Sequence, residues 1–526
     1  MGKEHKVRPL DDLASELDQK RAENRRIVHC HGVFDLLHIG HIRHFEQAKK
    51  LGDLLVVTVT PDRFVNKGAG RPAFTHDLRA EVIAALDCVD YVAVNRWRTA
   101  VETIRLLRPH VFAKGSEFRT GKDTTGQVLL EAEAIQEVGG EVAYTEDIVF
   151  SSSALINQYL SSFTDEVRDY LAEFACRYSA DEVTQYLKGA ESKKVLVIGE
   201  TILDQYDYCE AMGKSGKEPV LATRYTSTDK SAGGVLACAN HLAGFCKQVD
   251  LITFLGEGLD QEEFIRGKLK DNVNPCFLEK SGSPTIVKQR FVEKYLSQKL
   301  FEVYHMNDDP LTAEEDANLC RRLEETLPNY DVVIVTDYGH GMFGKRAIEL
   351  LCEKSKFLVV NTQSNAGNNG LNAISKYPRA DYVCLANREF ALETRDRRMS
   401  AQEMILHVAN KLHCSRLMLT QGKYGSIAFS PQDGFKHVPA LATQVVDRVG
   451  AGDAVLCLTA LCVAQGAPAE LTAFLGNVVG AEAVAIMGNQ RSIERIPLLR
   501  HVECLLKVHK SDQKSDADKE TIKFAA

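Results

Sequence analysis

Short apolar runs alternate with amphipathic segments along most of the chain. From Arg26 the run IVHCHGVF precedes a helical pattern, HIRHFEQAKKLG, and the same rhythm repeats through LLVVTVT, HDLRAEVIAALD and YVAVN. It continues through VFAK, a helix near Gly126 to Gly139, and EVAYTEDI. Alternating strand and helix patterns predict a parallel sheet covered by helices. We therefore expect a first α/β domain over residues 26–161.

The pattern changes at residue 162 and restarts at Val195. The charged stretch 162–193 has a helical pattern and no strand pattern, which predicts a helical connector. Residues 194–508 then predict a second α/β domain, so that the chain has two doubly wound domains. Two segments of it, PVLATRYTSTDKSAGG and PTIVKQRFVEKYLSQKLFEVYHM, resemble strands without intervening helices and predict a small sheet of their own. Residues 509–526 are polar and predict a loose tail.

Composition excludes several classes of protein. The 526 residues are too many for one core, and 44% hydrophobic with 26% charged residues is an ordinary globular balance. A formal charge of -8 argues against a surface that binds nucleic acid, although local anion pockets remain possible.

The cysteines and apolar runs predict a cytoplasmic location. The 14 cysteines are scattered without a CxxC pair or a zinc-type spacing, which favours reduced thiols. The first twenty residues lack the apolar stretch of a signal peptide, and the apolar run from Ala454 to Ala464 is too short to span a bilayer. We expect no membrane partner.

A phosphate site is predicted in GVFDLLHIGHIRHF. Gly32 ends a strand, and His38, Gly40 and His41 begin a helix. Backbone N–H groups at a helix start face an anion, glycine lets a phosphate approach, and imidazoles can donate to a phosphoryl group during displacement. The alternative is that both histidines are structural polar residues, because short motifs also match by chance.

The longer context resembles the cytidylyltransferase-like nucleotidyltransferases, which carry a G-x-F-D-x-x-H-x-G-H element. The resemblance spans roughly Ile27 to Leu160 and includes RAEVIAAL, HVFAKGSEF and FSSSALI. It is greatest to the adenylyltransferase half of bifunctional heptose-phosphate enzymes, and next to glycerol-phosphate cytidylyltransferases. The resemblance implies a magnesium-assisted transfer in which His38, His41 and Lys67 are catalytic and Asp35 faces the sugar phosphate. The implied nucleotide- or phosphate-binding residues are Gly32, Phe34, Gly40, Arg79, Lys114, Ser151, Ser152 and Ser153.

A second site is predicted in QVVDRVGAGDAVLCLTALC. Gly450, Ala451 and Gly452 immediately precede Asp453 and an apolar helix. Small residues let consecutive N–H groups converge on an anion, and an adjacent carboxylate can take a proton from an attacking hydroxyl. The alternative is a glycine-rich helix start capped by Asp453.

The chain from about Val195 to Val508 resembles the ribokinase (PfkB-type) sugar kinases. Five elements recur in order: GETILDQY, SAGGVLACANHLA, VTDYGHGMF, LTQGKYGSIAF and DRVGAGDAV. The resemblance implies that Asp453 is the general base, that the preceding glycine turn is the anion hole for the γ-phosphoryl group, and that the small predicted sheet is a lid. The other implied site residues are Asp204, Gly233, Gly234 and Asp337 for the sugar, Gly450, Ala451 and Gly452 for phosphate, and Thr420, Gly422, Gly425 and Asn477 for ATP.

Three features depart from that family's pattern. Ala237 stands where the closest relatives have a sugar-contacting Asn, and Asn361 and Gln363 replace a strand Asp and Lys. The usual Asn-x-x-Glu element survives only as Asn387 with Glu389 displaced. These changes affect the substrate assignment more than the fold, and leave open a slow, differently specific or lapsed kinase.

Together the resemblances predict a bifunctional enzyme of nucleotide-activated sugar synthesis. The kinase would phosphorylate a sugar or sugar phosphate with ATP, and the transferase would couple a sugar phosphate to a nucleotide, with ADP-heptose chemistry favoured. In the bifunctional heptose enzymes the kinase precedes the transferase, and here the order is reversed. One alternative is a CDP-polyol cytidylyltransferase, using CTP, fused to a polyol kinase; another is a kinase-like half that senses sugar without turnover. Magnesium is the implied cofactor and a homodimer is plausible.

Overall fold

A computed structural model describes residues 5–65, 71–119, 126–145 and 163–507, apart from residues 296, 369 and 397. These residues pack as two compact units. The first comprises the described parts of Met1–Thr164, Leu171–Asp181 and Ile496–Ala526, and the second comprises Asp165–Tyr170 and Glu182–Arg495. The predicted boundaries at 26, 161, 193 and 508 stay predictions.

The first unit is built on a five-stranded parallel sheet. Its strands are β1 (Ile27–Gly32), β2 (Leu54–Val59), β3 (Tyr91–Val94), β4 (Val111–Gly115) and β5 (Glu141–Thr145), and its helices are α1 (Leu10–Ala22), α2 (Ile39–Lys49), α3 (His76–Ala84), α4 (Val101–Leu107) and α5 (Gln127–Glu137). The strand order is β3-β2-β1-β4-β5. The order reverses direction between β1 and β4, and ligands bind at the carboxyl ends of strands beside such a switch point.

Burial explains the apolar strand runs of this unit. All six residues of β2 are buried, as expected for a parallel strand covered by helices on both faces. Helix α2 contributes Phe45 and Ala48 to the core. Helix α1, which precedes the predicted domain start at residue 26, also buries its Leu13 and Leu17 against the sheet. Its apolar stripe is short, and sequence analysis did not include it.

The second unit is built on a nine-stranded sheet. Its strands are β6 (Val195–Gly199), β9 (Val249–Leu255), β10 (Val273–Glu279), β13 (Val332–Asp337), β14 (Leu358–Thr362), β15 (Tyr382–Ala386), β16 (Leu417–Thr420), β17 (Ser426–Ser430) and β18 (Gly434–Val438). Their order is β10-β9-β6-β13-β14-β15-β16-β17-β18, and all neighbours are parallel except the last two pairs. The predicted α/β class with two doubly wound sheets is confirmed.

Eleven more helices follow α5 in the described residues. They are α6 (Asp165–Arg177), α7 (Ala180–Gly189), α8 (Val235–Ala243), α9 (Glu262–Arg266), α10 (Ala313–Thr326), α11 (Lys345–Lys354), α12 (Asn387–Thr394), α13 (Ala401–Lys411), α14 (Ala451–Val463), α15 (Ala469–Ala483) and α16 (Arg495–Leu506). The apolar run noted from Ala454 lies in α14, whose residues from Asp453 to Val463 are all buried in the unit. Within the described residues, no helix combines the length and apolarity needed to cross a bilayer.

A separate four-stranded sheet, here called the lid sheet, belongs to the second unit. It contains β7 (Thr201–Lys214), β8 (Leu221–Gly234), β11 (Ile286–Glu293) and β12 (Gln298–His305), in the order β12-β11-β7-β8. The two segments predicted to form a small sheet supply β8, β11 and β12. Strand β7 was missed because its sequence was assigned only as a motif near the first strand.

Candidate functional site

The first candidate site lies at the carboxyl end of β1. A side chain on Gly32 would approach the Phe34 ring to 2.8 Å, so a larger residue at this position would have to displace that ring. Phe34 itself has a left-handed backbone with φ of 49°. This tight turn carries the chain from the strand to the start of α2.

His38 and His41 lie together at the start of α2. His38 is the residue before the helix, and His41 lies in the first turn one residue after Gly40. Their ring centroids are 3.9 Å apart with an interplanar angle of 22°, and the Phe34 ring packs edge-on to His41 at 5.3 Å. The two imidazoles therefore stand side by side where backbone N–H groups and the helix dipole favour an anion.

Asp35 is buried against the next loop. Its Oδ2 lies 2.8 Å from Arg71 Nε, and its Oδ1 accepts a hydrogen bond of 2.6 Å from the Ala73 N–H. The structure thus gives Asp35 a role in shaping the loop. Its predicted contact with a sugar phosphate stays a prediction.

Arg79 is also buried, and its hydrogen bonds join neighbouring loops. Its guanidinium donates to the carbonyls of Phe74 at 2.9 Å, Thr60 at 2.8 Å and Val33, and to Asp62 Oδ1 at 2.6 Å. These contacts occupy all three nitrogens, so in this structure Arg79 supports the site by joining the loops after β1 and β2.

Lys114 lies near the end of β4, the strand beside β1. Its ammonium pairs with the buried Glu131 of α5 and lies 4.8 Å from the Phe118 ring centroid. The charge is therefore at the switch point of the sheet. Lys67, Ser151, Ser152 and Ser153 fall outside the described residues.

Sequence analysis missed three further histidines on β1 and α2, the elements that form this site. The Thr58 hydroxyl contacts His29 Nε2 at 2.7 Å and His31 Nδ1 at 2.8 Å, and His44 Nδ1 contacts the Thr145 hydroxyl at 2.6 Å. Burial lowers the pKa of His29 and His31 to about 3 and that of His44 to about 4. The spacing of His29 and His31, which puts both on one face of β1, was the available signal.

The second candidate site lies at the start of α14. Gly450 has φ of 80°, and a side chain there would collide with Asn489. A Cβ on Gly452, by contrast, would meet no atom within 4 Å. Gly450, Ala451 and Gly452 therefore turn the chain into a helix start with open space beside Gly452, which suits an anion.

Asp453 is a buried carboxyl group in the first turn of α14. It is only 6% exposed, and its Oδ1 accepts a hydrogen bond of 2.8 Å from Gln363 Nε2. Burial raises the pKa of Asp453 to about 7, although hydrogen bonds from Tyr338 and Gln363 oppose the shift. A carboxyl group with a pKa near neutrality is suited to accepting a proton from a hydroxyl.

Asp204 of β7 is held by both the lid sheet and a neighbouring loop. Its Oδ1 pairs with Arg290 Nη1 at 2.5 Å, and its Oδ2 accepts a bond of 2.8 Å from Asn489 Nδ2. A side chain on Gly233 would collide with the Asp204 carboxylate, and Gly234, with φ of 54°, is the residue immediately before α8. The two glycines thus allow close packing around Asp204.

Lys288 is a second residue that sequence analysis missed. It lies on β11 opposite Asp204 of β7 and is 8% exposed. Its ammonium lies 5.4 Å from the Tyr304 ring centroid, and no carboxylate of the described residues lies within ion-pair distance. Burial lowers the pKa of Lys288, and the lysine in turn lowers the pKa of Asp453. Lys288 and Asp204 thus lie on neighbouring strands of the lid sheet, and their charges have opposite effects on the pKa of Asp453.

Asp337 is saturated by protein donors. Its Oδ2 binds the Tyr377 hydroxyl at 2.7 Å and Lys376 Nζ at 2.5 Å, and its Oδ1 accepts a bond of 3.0 Å from Asn372 Nδ2. The structure gives it a framework role at the end of β13, while its predicted sugar contact stays a prediction.

The departures from the sugar-kinase pattern have local explanations. Ala237 is buried in α8, and Asn361 Nδ2 donates to the Cys384 carbonyl at 2.6 Å. Gln363 donates directly to Asp453. Glu389 Oε1 accepts a bond of 3.3 Å from the Ser364 N–H, and its Oε2 is buried without a hydrogen-bond partner in the described chain.

The predicted ATP residues gather around β16 and β17. Thr420 ends β16, and Gly422 and Gly425 have φ of 58° and 86° in the turn between the strands. A side chain on Gly425 would collide with a backbone carbonyl. Asn477 of α15 donates to the Ser426 hydroxyl at 2.7 Å, so its amide is partly engaged by the protein.

The helix start at Gly452 is open and lies beside a buried carboxyl group, and the lid sheet contacts the loop before it. Such an arrangement can bind a phosphate and take a proton from a hydroxyl. Residues 192–496 match the family described as pfkB family carbohydrate kinase, and residues 29–158 match the family described as Cytidylyltransferase-like. Because the first match covers more than half of the sequence, the chain belongs to the pfkB family of carbohydrate kinases. Both resemblances drawn from the motifs are confirmed, and the transferase-like match precedes the kinase match.

Similar proteins include two named bifunctional protein HldE. The HldE of Pelobacter propionicus is 40% identical over 129 residues, 24% of this chain and 26% of that protein. The HldE of Geobacter sulfurreducens is 35% identical over 167 residues, 31% of this chain and 32% of that protein. The chain thus matches between a quarter and a third of the length of these curated relatives.

The fold is shared with a solved kinase. The structure of phosphofructokinase-2 from Escherichia coli in complex with potassium has a TM-score of 0.50 and 15% identity, covering 60% of this chain and 99% of that one. At this identity the likeness concerns the fold alone.

Replacing Asp453 with Asn should reduce ATP-dependent phosphorylation roughly 100-fold or more, because the amide cannot take the acceptor's proton.

In the unaltered protein, kcat should rise with pH through about 7 as the Asp453 carboxyl group ionises. Gln363→Lys should move this limb to lower pH, since a nearby cation stabilises the carboxylate. The measurement is a pH–rate profile with saturating ATP. Gln402→Lys, at an exposed position of α13, is the charge-matched control, and a Gln363→Lys profile equal to that control would contradict the assignment.

Replacing His41 with Ala should lower the rate of pyrophosphate release roughly 100-fold, because a donor to the reacting phosphoryl group is lost. Phosphorylation by the second unit, measured on the same preparation, should not change. The exposed His5, replaced with Ala, provides the control. Equal transfer rates for the two variants would show that His41 has no part in the reaction.

Proposed function

We propose that this chain is a bifunctional enzyme of nucleotide-activated sugar synthesis. Its second unit phosphorylates a sugar or sugar phosphate with ATP, and its first unit transfers a nucleotidyl group to a sugar phosphate and releases pyrophosphate. The similarity to proteins named bifunctional HldE favours a heptose-type, ADP-sugar product. The observation that carries the kinase proposal is the buried Asp453, with a pKa of about 7, beside an open helix start.

In the kinase reaction, Asp453 accepts the proton of the acceptor hydroxyl. The hydroxyl oxygen then bonds to the γ-phosphorus of ATP, and the bond to the β–γ bridging oxygen breaks, so that ADP leaves with the electron pair. Backbone N–H groups of Gly450, Ala451 and Gly452 hold the transferred group. Positioning and charge neutralisation supply most of the catalysis in such transfers.

The acceptor pocket favours a substrate that is already anionic. Lys288 places a buried ammonium on β11 opposite Asp204 of β7, but within the described residues it forms no ion pair with a carboxylate. Removing a cation from water is unfavourable unless an opposite charge accompanies it. A phosphate ester on the sugar supplies that charge, and we therefore favour a sugar phosphate over a neutral sugar.

The residues fit magnesium that arrives with the nucleotide. Within the described chain, no group of three or more His, Cys, Asp or Glu side chains is arranged to hold a metal ion. Magnesium in such enzymes is bound mainly by substrate phosphates, with one or two carboxylates and water, and neutralises phosphate charge. Glu389, whose Oε2 is buried without a hydrogen-bond partner in the described residues, is the carboxylate that suits this role.

In the transferase reaction, an oxygen of the sugar phosphate bonds to the α-phosphorus of the nucleotide. The bond to the α–β bridging oxygen breaks, and pyrophosphate leaves with the electron pair. His38 and His41 donate hydrogen bonds to the oxygens of the α-phosphoryl group as charge grows there. Lys67 and the serines at 151, 152 and 153 are proposed to bind the remaining phosphate groups.

We also infer a homodimer formed through the lid sheet. Large apolar side chains are exposed on strands β7, β8 and β12 and beside them, namely Met212, Val220, Leu221, Tyr225, Tyr295, Phe301 and Val303. Large apolar side chains exposed on one small sheet are typical of an association site. A second copy of the same sheet would cover it.

A cytoplasmic location is supported by the thiols. The structure describes all fourteen cysteines, and none of these described residues is joined in a disulfide. Persistent free thiols are typical of a reducing compartment.

A pyrophosphate-release screen of ATP, CTP, GTP and UTP against phosphorylated heptoses, hexoses and polyols should give its highest rate with ATP and a heptose phosphate.

A parallel screen for ADP formation should favour phosphorylated acceptors, because their phosphate would pair with the Lys288 ammonium. Lys288→Met should raise KM for those acceptors roughly tenfold or more. CTP turnover with glycerol phosphate would instead support the polyol alternative, and ATP binding without any turnover would support a sugar sensor.

The pair of changes Tyr225→Lys and Phe301→Lys should convert the dimer into a monomer, because it places two charges in the apolar surface of the lid sheet. Sedimentation measures the mass. The exposed Leu406 of α13, changed to Lys, is the control and should leave the dimer intact. A wild-type protein that sediments as a monomer at micromolar concentration contradicts this inference.

A further inference from the structure

Asp447 is a buried carboxylate in the loop before α14. It is 6% exposed, and its Oδ1 accepts hydrogen bonds from the N–H groups of Arg448 at 2.7 Å and Val449 at 3.2 Å. Its Oδ2 accepts one from the Gly488 N–H at 3.1 Å. The carboxylate thus holds the backbone that leads directly into Gly450.

The other two donors to Asp447 come from the lid sheet. Tyr206 of β7 donates its hydroxyl to Oδ2 at 2.6 Å, and Lys299 of β12 donates its ammonium to Oδ1 at 2.7 Å. The Lys299 ammonium also lies 5.5 Å from the Tyr206 ring centroid. The Asp447 side chain is 4% exposed and the Lys299 side chain 33%. A charge so deeply buried depends on its partners.

These contacts bear on the anion hole because the chain runs from Asp447 straight into it. Gly450 has φ of 80° and turns the backbone into α14. The positions of the N–H groups at that helix start depend on the path through Arg448 and Val449, which Asp447 holds. Donors to a reacting phosphoryl group act only when they are already in place.

A second chain of contacts joins the same parts. Asn489, next to Gly488, donates to Asp204 of β7 at 2.8 Å and packs so closely on Gly450 that a side chain there would collide with it. Arg290 of β11 pairs with Asp204. The lid sheet therefore reaches the turn at Gly450 by two routes, one of which includes the predicted sugar contact.

We propose that Asp447 is a positioning residue through which the lid sheet sets the geometry of the anion hole, with Lys299 and Tyr206 as its partners on the lid. The inference rests on the proposed kinase function and assigns its regulation: the contacts of the lid sheet with Asp447 help to order the phosphate-binding turn. Substrate binding at Asp204 and phosphate binding at Gly450 are thereby coupled.

Lys299→Met in the full-length protein should lower kcat for phosphorylation about 100-fold, the size expected for a small misplacement of catalytic groups. KM for ATP should change by less than roughly threefold, because the bond to Asp447 is not a contact with ATP. Lys299→Arg should restore most of the rate. Tyr206→Phe should lower kcat less, and the double variant Lys299→Met with Tyr206→Phe should lose less than the product of the two single losses, because both act through one carboxylate.

Lys294→Met, an exposed lysine between β11 and β12, removes the same charge from the lid sheet without touching Asp447 and should leave kcat unchanged. Equal rates for Lys299→Met and Lys294→Met would overturn the proposal. A fall in kcat that a loss of thermal stability fully explains would overturn it as well.

Amide hydrogen exchange provides a readout that needs no turnover. In Lys299→Met, exchange should accelerate in residues 447–453 and not in the core strands of the second unit, whereas Lys294→Met should match the unaltered protein. If the unaltered protein phosphorylates no acceptor, the kinase function fails while the exchange result still decides the role of Asp447. Unchanged exchange in residues 447–453 would overturn it.

Discussion

A carboxyl group withdrawn from water depends on hydrogen-bond donors, and its pKa rises; both apply to Asp453. Burial raises its pKa to about 7, while Gln363 donates to one of its oxygens at 2.8 Å. It lies in the first turn of a helix whose start is open to an anion beside Gly452. The glycine turn and helix α14 fix the direction of the N–H groups, and the lid sheet supplies Tyr206 and Lys299 to the loop that leads into the turn.

Each unit has a helix start that favours an anion, but the groups that supply the positive potential differ. In the first, the stacked imidazoles of His38 and His41 stand at a helix start, and burial lowers the pKa of His29 and His31 on the preceding strand. In the second, the positive potential comes from backbone N–H groups and from the buried Lys288. Imidazoles can donate to charge that grows on an α-phosphoryl group, whereas an open backbone turn leaves room for a terminal phosphate and its attacking hydroxyl.

Several motif residues serve the framework more than the expected ligand. Asp35, Arg79 and Asp337 are buried and saturated or nearly saturated by neighbouring loops. A motif match cannot separate these roles, because a residue that shapes a pocket is constrained as tightly as one that lines it. Gln363, which replaces a strand Lys of the family pattern, shows the reverse case, since this departure from the pattern directly contacts Asp453.

The alternating apolar runs by themselves determined the α/β class and placed each glycine turn at the start of a helix, because period and turn chemistry are local properties. They also indicated three strands of the lid sheet. The partners of the buried charges were decided only by the tertiary structure: Gln363 and Asp453 are 90 positions apart, and Tyr206 and Asp447 are 241. Lys288 had no motif to mark it, and only the pairing of β11 with β7 brings its ammonium to Asp204. Such pairings depend on long-range packing, which no local pattern encodes.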